Sequence, residues 1–250
     1  MNKTIESFAK KYIPVRYLTI MLNTRDYLRS LFYLGDNFVD PVCNGHFRKF
    51  LFYGLNPRPN AQCPRCGSLE RHRLIWLYLQ EKTNFFTAKL KVLHFAPEKC
   101  FQNKFKSLPN LDYITADLDS PFADRKIDIT DIPFEDSTFD CVICSHVLEH
   151  VPNDKKAMQE IYRILRGGGW AILQVPIDQN REKTFEDPTI TDPKEREKLF
   201  GQYDHVRFYG RDYKDRLEKA GFKVKIYSYT KEDIDKYGLI YDEKVYCCFK

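Results

Sequence analysis

The chain has 250 residues, enough for one large α/β domain or for a medium-sized domain with a small appendage. Its hydrophobic and charged fractions, 43% and 30%, are ordinary for a globular protein and indicate neither disorder nor a membrane span. The net charge of +5 carries no block of Lys or Arg, so nothing in the charge pattern indicates a nucleic-acid partner. No signal-peptide pattern is seen, and we therefore expect a cytoplasmic protein without membrane attachment. In that compartment the eight cysteines are expected to be thiols or metal ligands rather than disulfides. The sequence carries no information on the oligomeric state.

Residues 1–87 are predicted to form an N-terminal unit of helices followed by a cysteine-bearing segment. Within 1–35 the apolar residues recur at roughly helical spacing, which predicts one or two helices, with Pro14 breaking the start. Turn-forming residues dominate 40–68, where the apolar residues between Phe47 and Tyr53 predict a short strand or hairpin. Ser68 is the predicted N-cap of the helix that follows.

The cysteine-bearing segment has the pattern of a metal site. Cys63-Pro64-Arg65-Cys66-Gly67 has the C-x₂-C spacing and the trailing glycine of a zinc knuckle. Upstream, Asp40 and Cys43 have the same spacing, with an aspartate in place of the first cysteine. We therefore predict a structural Zn²⁺ site with the ligands Asp40, Cys43, Cys63 and Cys66; His46 and His72 are alternative fourth ligands. The competing interpretation is three buried thiols without a metal.

After residue 87 the pattern changes to alternating strands and helices. Four nearly continuous apolar runs suit a parallel sheet that is covered on both faces: 91–95, 113–116, 139–144 and 170–175. A helix capped by Asn153 and ended by the glycines 167–169 is predicted between the last two strands, then a helix over 211–220 and strands over 222–227 and 245–249. We predict an α/β fold with a doubly wound, Rossmann-like sheet, mostly parallel with an antiparallel final strand.

Chemically useful side chains follow the predicted strands. In a parallel α/β sheet, ligands bind beyond the carboxyl ends of the strands. The first strand ends in the sequence HFAPE (94–98), and the third is followed by Ser145 and His146. The second strand ends at Asp117, whose carboxylate is placed to accept hydrogen bonds from two ribose hydroxyls.

The order and spacing of these motifs resemble class I S-adenosylmethionine-dependent methyltransferases over roughly 88–250. The stretches DITDIPFEDSTFDCVICSHVLEHV and EIYRILRGGGWAILQVP are very similar to the family's middle and later motifs. A bacterial group of methyltransferase-like proteins also resembles the chain through HFAPE, CPRCGSLERHR and FGQYDHVRFYGRDY.

The resemblance implies S-adenosylmethionine (SAM) as the cofactor and assigns its contacts. It places Asp128 at the adenine amino group, with a backbone contact from Ile129, and Asp117 at the ribose. Residues under the methionine part would be Ser145 and His146. The remaining contacts would come from the first loop: His94, Phe95, Ala96 and Pro97.

The first loop also departs from the family. The family's loop is usually acidic and then glycine-rich, because the cofactor approaches the backbone closely there. Here His94 stands in place of the acid, and Ala96 is the only small residue. Either the loop has another shape that admits the cofactor, or the chain is a catalytically inactive, zinc-bearing binding or scaffold protein. An NAD-dependent oxidoreductase is disfavoured, since no G-x-G-x-x-G follows the first strand.

Methyl transfer depends mainly on alignment of the acceptor with the methyl group, but an oxygen or nitrogen acceptor can need a base. We predict His146 and His205 as the catalytic candidates, while Glu149 and His150 are equally compatible with packing roles. Residues 177–208 are predicted to be a substrate-facing insertion, in which polar groups such as Arg207 bind the acceptor. The expected partner is a small polar molecule, either a saccharide or a metabolite.

Overall fold

The computed structural model describes residues 15–54 and 56–250, so the part of the predicted N-terminal helices within 1–14 lies outside the described residues. The chain divides into two compact units. The first unit ends at Tyr78 and also includes Tyr229–Glu243, and the second consists of Leu79–Ser228 and Lys244–Lys250. This division differs from the predicted boundary at 87/88, which assigned all residues after 88 to one domain.

The N-terminal elements are one long helix, two strand pairs and a second helix. In chain order they are α1 (Val15–Leu31), β1 (Leu34–Asp40), β2 (Gly45–Phe47), β3 (Leu51–Tyr53), β4 (Arg58–Gln62) and α2 (Glu70–Lys82). β1 pairs antiparallel with β2, and β3 pairs antiparallel with β4. The predicted strand or hairpin over 47–53 is thus divided between two pairs. The Ser68 hydroxyl, predicted to cap α2, instead donates a hydrogen bond to the Asp40 carboxylate.

The elements that follow alternate between strands and helices. In chain order they are β5 (Leu90–Phe95), α3 (Lys99–Lys106), β6 (Leu111–Asp117), β7 (Arg125–Lys126), β8 (Phe139–Ser145), α4 (Asp154–Ile164), β9 (Leu165–Gln174), β10 (Phe185–Glu186), α5 (Pro193–Phe200), β11 (Arg207–Phe208), α6 (Tyr213–Lys219), β12 (Lys223–Tyr227), α7 (Lys231–Tyr237) and β13 (Val245–Phe249).

Seven of these strands form one mixed sheet in the order β12-β13-β9-β8-β5-β6-β7. The strands from β9 to β7 are parallel, while β13 runs antiparallel to both of its neighbours. The apolar runs of β8 and β9 are almost completely buried, as expected for central strands covered on both faces. The predicted fold class, a mostly parallel Rossmann-like sheet with an antiparallel final strand, is confirmed.

Helix α4 begins as predicted but ends earlier. The Asn153 side chain accepts a hydrogen bond from the backbone N–H of Lys156 at 3.1 Å, which caps the first turn. The glycines 167–169 do not end the helix and lie inside β9. A Cβ at Gly169 would lie 3.0 Å from the carbonyl oxygen of Asp140 on β8, so this glycine allows the two strands to approach each other closely.

The segment after β9 is more regular than the sequence predicted. It contains α5 and the antiparallel pair β10–β11. The Asp192 carboxylate caps α5 by accepting hydrogen bonds from the backbone of Lys194 and Glu195, and Pro193 occupies the first turn. An Asp-Pro pair with an acidic residue two positions after the proline, here Glu195, is a helix-start signal, so the sequence contained the information needed to find α5.

Arg73 explains why the chain segment 229–243 belongs to the N-terminal unit. Its guanidinium is fully buried and donates hydrogen bonds to the carbonyl oxygens of Ala61, Ser68, Tyr237 and Gly238 at 2.6–3.1 Å. The same guanidinium lies 4.4 Å from the centre of the Phe50 ring. A buried arginine with this many partners stabilises the packing of 229–243, even though the segment is distant in sequence.

Within 15–54 and 56–250, no helix is both long enough and apolar enough to cross a membrane.

Candidate active site

A cavity of about 650 Å³ lies beyond the carboxyl ends of β5, β6 and β8. This volume falls in the range of about 300–1,000 Å³ that is usual for small-molecule sites. The predicted cofactor contacts that line it are Phe95, Ala96, Asp117, Asp128, Ile129 and His146. The cavity thus brings together residues from separate strands, while His94, Pro97 and Ser145 are not among its lining residues.

Two carboxylates at this cavity are held by the backbone that follows them. Asp117 Oδ1 accepts hydrogen bonds from the backbone N–H groups of Asp119 and Ser120 at 2.8 and 2.7 Å. Asp128 Oδ1 accepts from both the backbone and the hydroxyl of Thr130, each at 2.8 Å. These turns hold each carboxylate in a defined orientation before a ligand arrives.

The first loop reaches the cavity in a conformation that glycine normally adopts. Ala96 has a φ of 46°, in the left-handed region, and its backbone N–H donates to the carbonyl of Ala116 at 2.8 Å. An L-residue in this region is strained by roughly 1–2 kcal/mol. The loop therefore has a glycine-like backbone without a glycine, and alanine is the smallest side chain that can replace it.

His94 lies beneath this loop instead of facing the cavity. Its imidazole is fully buried, with Nδ1 2.7 Å from the Tyr113 hydroxyl and Nε2 2.8 Å from Glu98 Oε2. The pair His94–Glu98 spans the loop 95–97 and connects its two ends. Glu98 was not singled out from the sequence, although its position four residues after His94 is the signal that could have identified it.

Replacing His94 by aspartate, the type of residue usual in the family, is expected to destabilise the protein by about 2–4 kcal/mol. The change places a second carboxylate beside the largely buried Glu98 and removes the partner of Tyr113. Urea denaturation followed by circular dichroism measures the difference. The control is His46→Asp, the same substitution at an exposed histidine. The double variant His94→Asp with Glu98→Gln should recover part of the lost stability, because it removes the repulsion between the two carboxylates. An unchanged unfolding midpoint for His94→Asp would contradict this role.

His146 enters the cavity from the turn after β8. Its φ of 55° and the hydrogen bond from its backbone N–H to the Gln174 carbonyl at 2.8 Å fix the turn. Its Nδ1 lies 3.2 Å from Oε1 of Glu149, a fully buried carboxylate. Burial raises the pKa of Glu149, but the hydrogen bond and charge of His146 outweigh it and leave the pKa below its usual value. An ionised Glu149 accepts the contact from His146 and thereby orients its ring.

The second catalytic candidate, His205, is buried and does not line the cavity. Its ring packs edge-on against that of His150, 4.6 Å between centroids, and His150 does line the cavity together with Asp204. Burial lowers the pKa of His205, which favours the neutral imidazole. The predicted residue His205 therefore lies next to the cavity, whereas its neighbours His150 and Asp204 line the cavity.

Arg207 is held by backbone carbonyl groups of the turn after β8. Its side chain is 3% exposed, and its guanidinium donates to the carbonyl oxygens of Leu148, Val151 and Pro152 at 2.5–2.9 Å. Its Nε donates to Glu186 at 3.0 Å. Arg207 thus fastens the 177–208 segment to the turn after β8, and its predicted contact with an acceptor stays a prediction.

The N-terminal unit brings the four predicted metal ligands together. One ligand atom from each of Asp40, Cys43, Cys63 and Cys66 lies within 4.8 Å of the others. The Sγ atoms of Cys43 and Cys63 are 3.8 Å apart, and Cys66 Sγ is 3.6 Å from Asp40 Oδ2. Zn–S bonds of about 2.3 Å in a tetrahedron give a sulfur–sulfur separation of about 3.8 Å, so the donor set fits Zn²⁺.

Backbone amides surround this cluster in the manner of a zinc knuckle. The Arg65 and Cys66 N–H groups point at Cys63 Sγ at 3.4 and 3.5 Å, and the Val42 and Cys43 N–H groups donate to Asp40 Oδ1. Burial raises the pKa of Asp40, and hydrogen bonds from neighbouring thiols lower that of Cys66.

The alternative ligands lie outside the cluster. His46 is largely exposed, with its Nδ1 3.6 Å from Asp36. The Nδ1 of His72 accepts a hydrogen bond from the Leu69 backbone.

Comparison with known proteins finds similarity within the second unit. Residues 88–173 match the family model described as a methyltransferase domain. An uncharacterised protein of Methanocaldococcus jannaschii is 52% identical over 54 residues, 21% of this chain and 24% of that protein. A sterol 4-C-methyltransferase of Caenorhabditis elegans is 43% identical over 53 residues, 21% of this chain and 16% of that protein. These matches span a quarter or less of the length of those relatives.

Among solved structures, a SAM-dependent methyltransferase from Archaeoglobus fulgidus is 16% identical, with a TM-score of 0.47 over 71% of this chain and 93% of that one. The sheet order and the cavity at its carboxyl edge define a Rossmann-like ligand-binding fold. The segment 88–173 therefore carries the sequence of a methyltransferase domain.

Proposed function

We propose that the protein is a methyltransferase that transfers a methyl group from SAM to an oxygen or nitrogen of a small polar acceptor. The observation that carries the proposal is the convergence of Asp117, Asp128 and His146 on one cavity at the carboxyl edge of the sheet. The cavity fits the cofactor, since two oriented carboxylates suit the ribose hydroxyls and the adenine amino group, while Phe95 and Ile129 offer apolar contact. When bound, SAM supplies an electrophilic methyl group on a sulfonium.

The chain's own residues supply alignment and a base. His146 lines the cavity with its Nδ1 facing the Glu149 carboxylate, and we propose this imidazole as the base that takes a proton from an acceptor hydroxyl or amine. Glu149 stabilises the resulting imidazolium by its negative charge. The acceptor end of the cavity is polar, with His150 and Asp204 in its wall, which favours a saccharide or another hydroxyl-bearing metabolite over an apolar acceptor.

Calorimetric titration of the purified protein with S-adenosylhomocysteine tests cofactor binding. We expect one site with micromolar affinity, about −8 kcal/mol. No binding to the folded protein would overturn the proposal and favour a catalytically inactive, methyltransferase-like scaffold protein.

Asp117→Asn is expected to weaken S-adenosylhomocysteine binding by at least about tenfold, because a carboxylate hydrogen bond contributes about 1.5–3 kcal/mol. The matched control is Asp112→Asn, an exposed aspartate on the same strand at the end away from the cavity. The same titration compares the two variants. Equal affinities for both variants and the wild type would remove Asp117 from the cofactor site.

We also propose that Asp40, Cys43, Cys63 and Cys66 hold a structural Zn²⁺. Four protein ligands complete a tetrahedron and leave no open position for a substrate, which distinguishes a structural zinc from a catalytic one. The sulfur spacing of 3.8 Å and the amides directed at Cys63 support the assignment.

A further inference from the structure

A second group of metal-ligating side chains lies in the methyltransferase unit, separate from the cysteine cluster. One ligand atom from each of Glu149, His150 and His205 lies within 4.8 Å of the others. We propose that these three residues bind a divalent transition-metal ion at the acceptor end of the cavity. The role of the ion in methyl transfer rests on the proposed function, whereas its binding is measured without cofactor or acceptor.

Glu149 is the strongest single indication. Its carboxylate is fully buried, and within the described part of the chain its contacts with His146 and with its own backbone fall short of good hydrogen-bond geometry. The contact that reaches it is the ion pair with His146, 3.2 Å from Nδ1 to Oε1. A buried carboxylate is costly unless it is paired and hydrogen-bonded or coordinates a metal, and one ion pair leaves much of its coordinating capacity unused.

The two histidines have the outer contacts of metal ligands. Nδ1 of His205 lies 3.0 Å from the carbonyl oxygen of Phe200, which can only accept, so Nδ1 carries the proton and Nε2 keeps its lone pair. Nδ1 of His150 lies 3.3 Å from Asp204 Oδ2. Metal-binding histidines usually donate their other N–H to a carbonyl or a carboxylate, which fixes the ring and raises its basicity.

Two distant segments of the chain are fixed to each other at this point. The Val206 backbone N–H donates to the carbonyl of Glu149 at 2.9 Å, and the Arg207 guanidinium donates to the carbonyls of Leu148 and Val151. These hydrogen bonds hold the residues that follow His205 against the backbone around Glu149 and His150. The three side chains are therefore close together before a metal ion binds.

The donor set indicates both the kind of ion and the kind of acceptor. Two imidazoles with one carboxylate suit Zn²⁺ or Fe²⁺, and three protein ligands leave coordination positions open. Since His150 and Asp204 line the cavity, an acceptor oxygen could occupy an open position close to His146. Coordination lowers the pKa of a hydroxyl, which makes it a better nucleophile for the methyl group. The site therefore favours an acceptor that presents a hydroxyl oxygen.

The test is a count of bound metal. The full-length protein is incubated with excess Zn²⁺, separated from free metal by gel filtration and analysed by plasma mass spectrometry. Wild type is expected to hold one equivalent more than Glu149→Gln, His205→Gln and His150→Gln. The controls Glu135→Gln and His46→Asn, exposed residues outside both clusters, should match wild type. Because the readout is a difference of one equivalent, it does not depend on the occupancy of the cysteine cluster.

The visible absorption spectrum of the Co²⁺-loaded protein identifies the residues that bind the metal ion. Co²⁺ at the proposed site should give visible d–d bands that disappear in the three variants, while thiolate charge-transfer bands report the cysteine cluster. Equal metal counts for wild type and the variants would overturn the proposal. If the variants at the buried residues Glu149 and His205 fail to fold, the metal count of His150→Gln tests the proposal, because the His150 ring is partly exposed. S-adenosylhomocysteine titration of the same samples tests the proposed function separately, since Asp117 and Asp128 are unchanged.

Discussion

Replacing Cys63 by serine is expected to abolish zinc binding at the Asp40–Cys43–Cys63–Cys66 cluster and to unfold the surrounding segment 34–68. The cluster lies against a small apolar core of Phe47, Phe50 and Cys63, which is too small to hold β1–β4 together by burial alone. Apparent binding free energies of structural zinc are about 10–16 kcal/mol at neutral pH, so the metal would be the largest single stabilising contribution in this segment. Hydrogen-exchange mass spectrometry and metal analysis of the purified protein measure the effect.

The matched control for the zinc site is Cys100→Ala, which removes a buried thiol outside the cluster. That variant should retain the wild-type zinc content and full amide protection over 34–68. The proposal of a structural zinc would fail if Cys63→Ser kept the wild-type metal content and the same slow exchange in this segment.

Replacing Arg207 by methionine is expected to lower the free energy of unfolding of the methyltransferase unit by about 3–5 kcal/mol. Methionine fills much of the volume but leaves three carbonyl oxygens and part of the charge of Glu186 without their donor. Asp154, 3.7 Å from Arg207 Nε and 3% exposed, keeps its pair with Arg216 at 2.8 Å, which limits the loss. Guanidinium denaturation measures the change.

Arg211→Met is the matched control, because this arginine lies four residues along the chain and is exposed. It is expected to change the free energy of unfolding by no more than about 0.5 kcal/mol. A similar, small effect of both substitutions would show that the 177–208 segment is held mainly by other contacts.

Much of the methyltransferase unit follows from local sequence patterns. Buried parallel strands are continuous apolar runs, so β5, β6 and β8 could be located to within a residue or two at each end. Asp117 could be placed near a ligand because side chains that follow parallel strands meet at one edge of the sheet, whereas the place of Asp128 followed from the resemblance of its motif to methyltransferases. The zinc ligands could be selected because C-x₂-C spacing is a local property, and the structure brings all four together.

Features that depend on contacts between distant segments could not be predicted. The role of His94 could not be predicted because it depends on Tyr113 and Glu98, which contact the two nitrogens of its ring. The contacts of Arg207 with the carbonyls of Leu148 and Val151 could not be predicted either, because a backbone carbonyl leaves no pattern in a sequence.

Periodicity and spacing are local properties, so the fold class, the order of most strands and the grouping of the four candidate zinc ligands could be predicted from the sequence. Only the tertiary structure decided that segment 229–243 joins the N-terminal unit through Arg73, and that His205 lies beside Glu149 and His150. The physical reason is that buried polar groups must find partners, and the nearest partner in space is often far away along the chain.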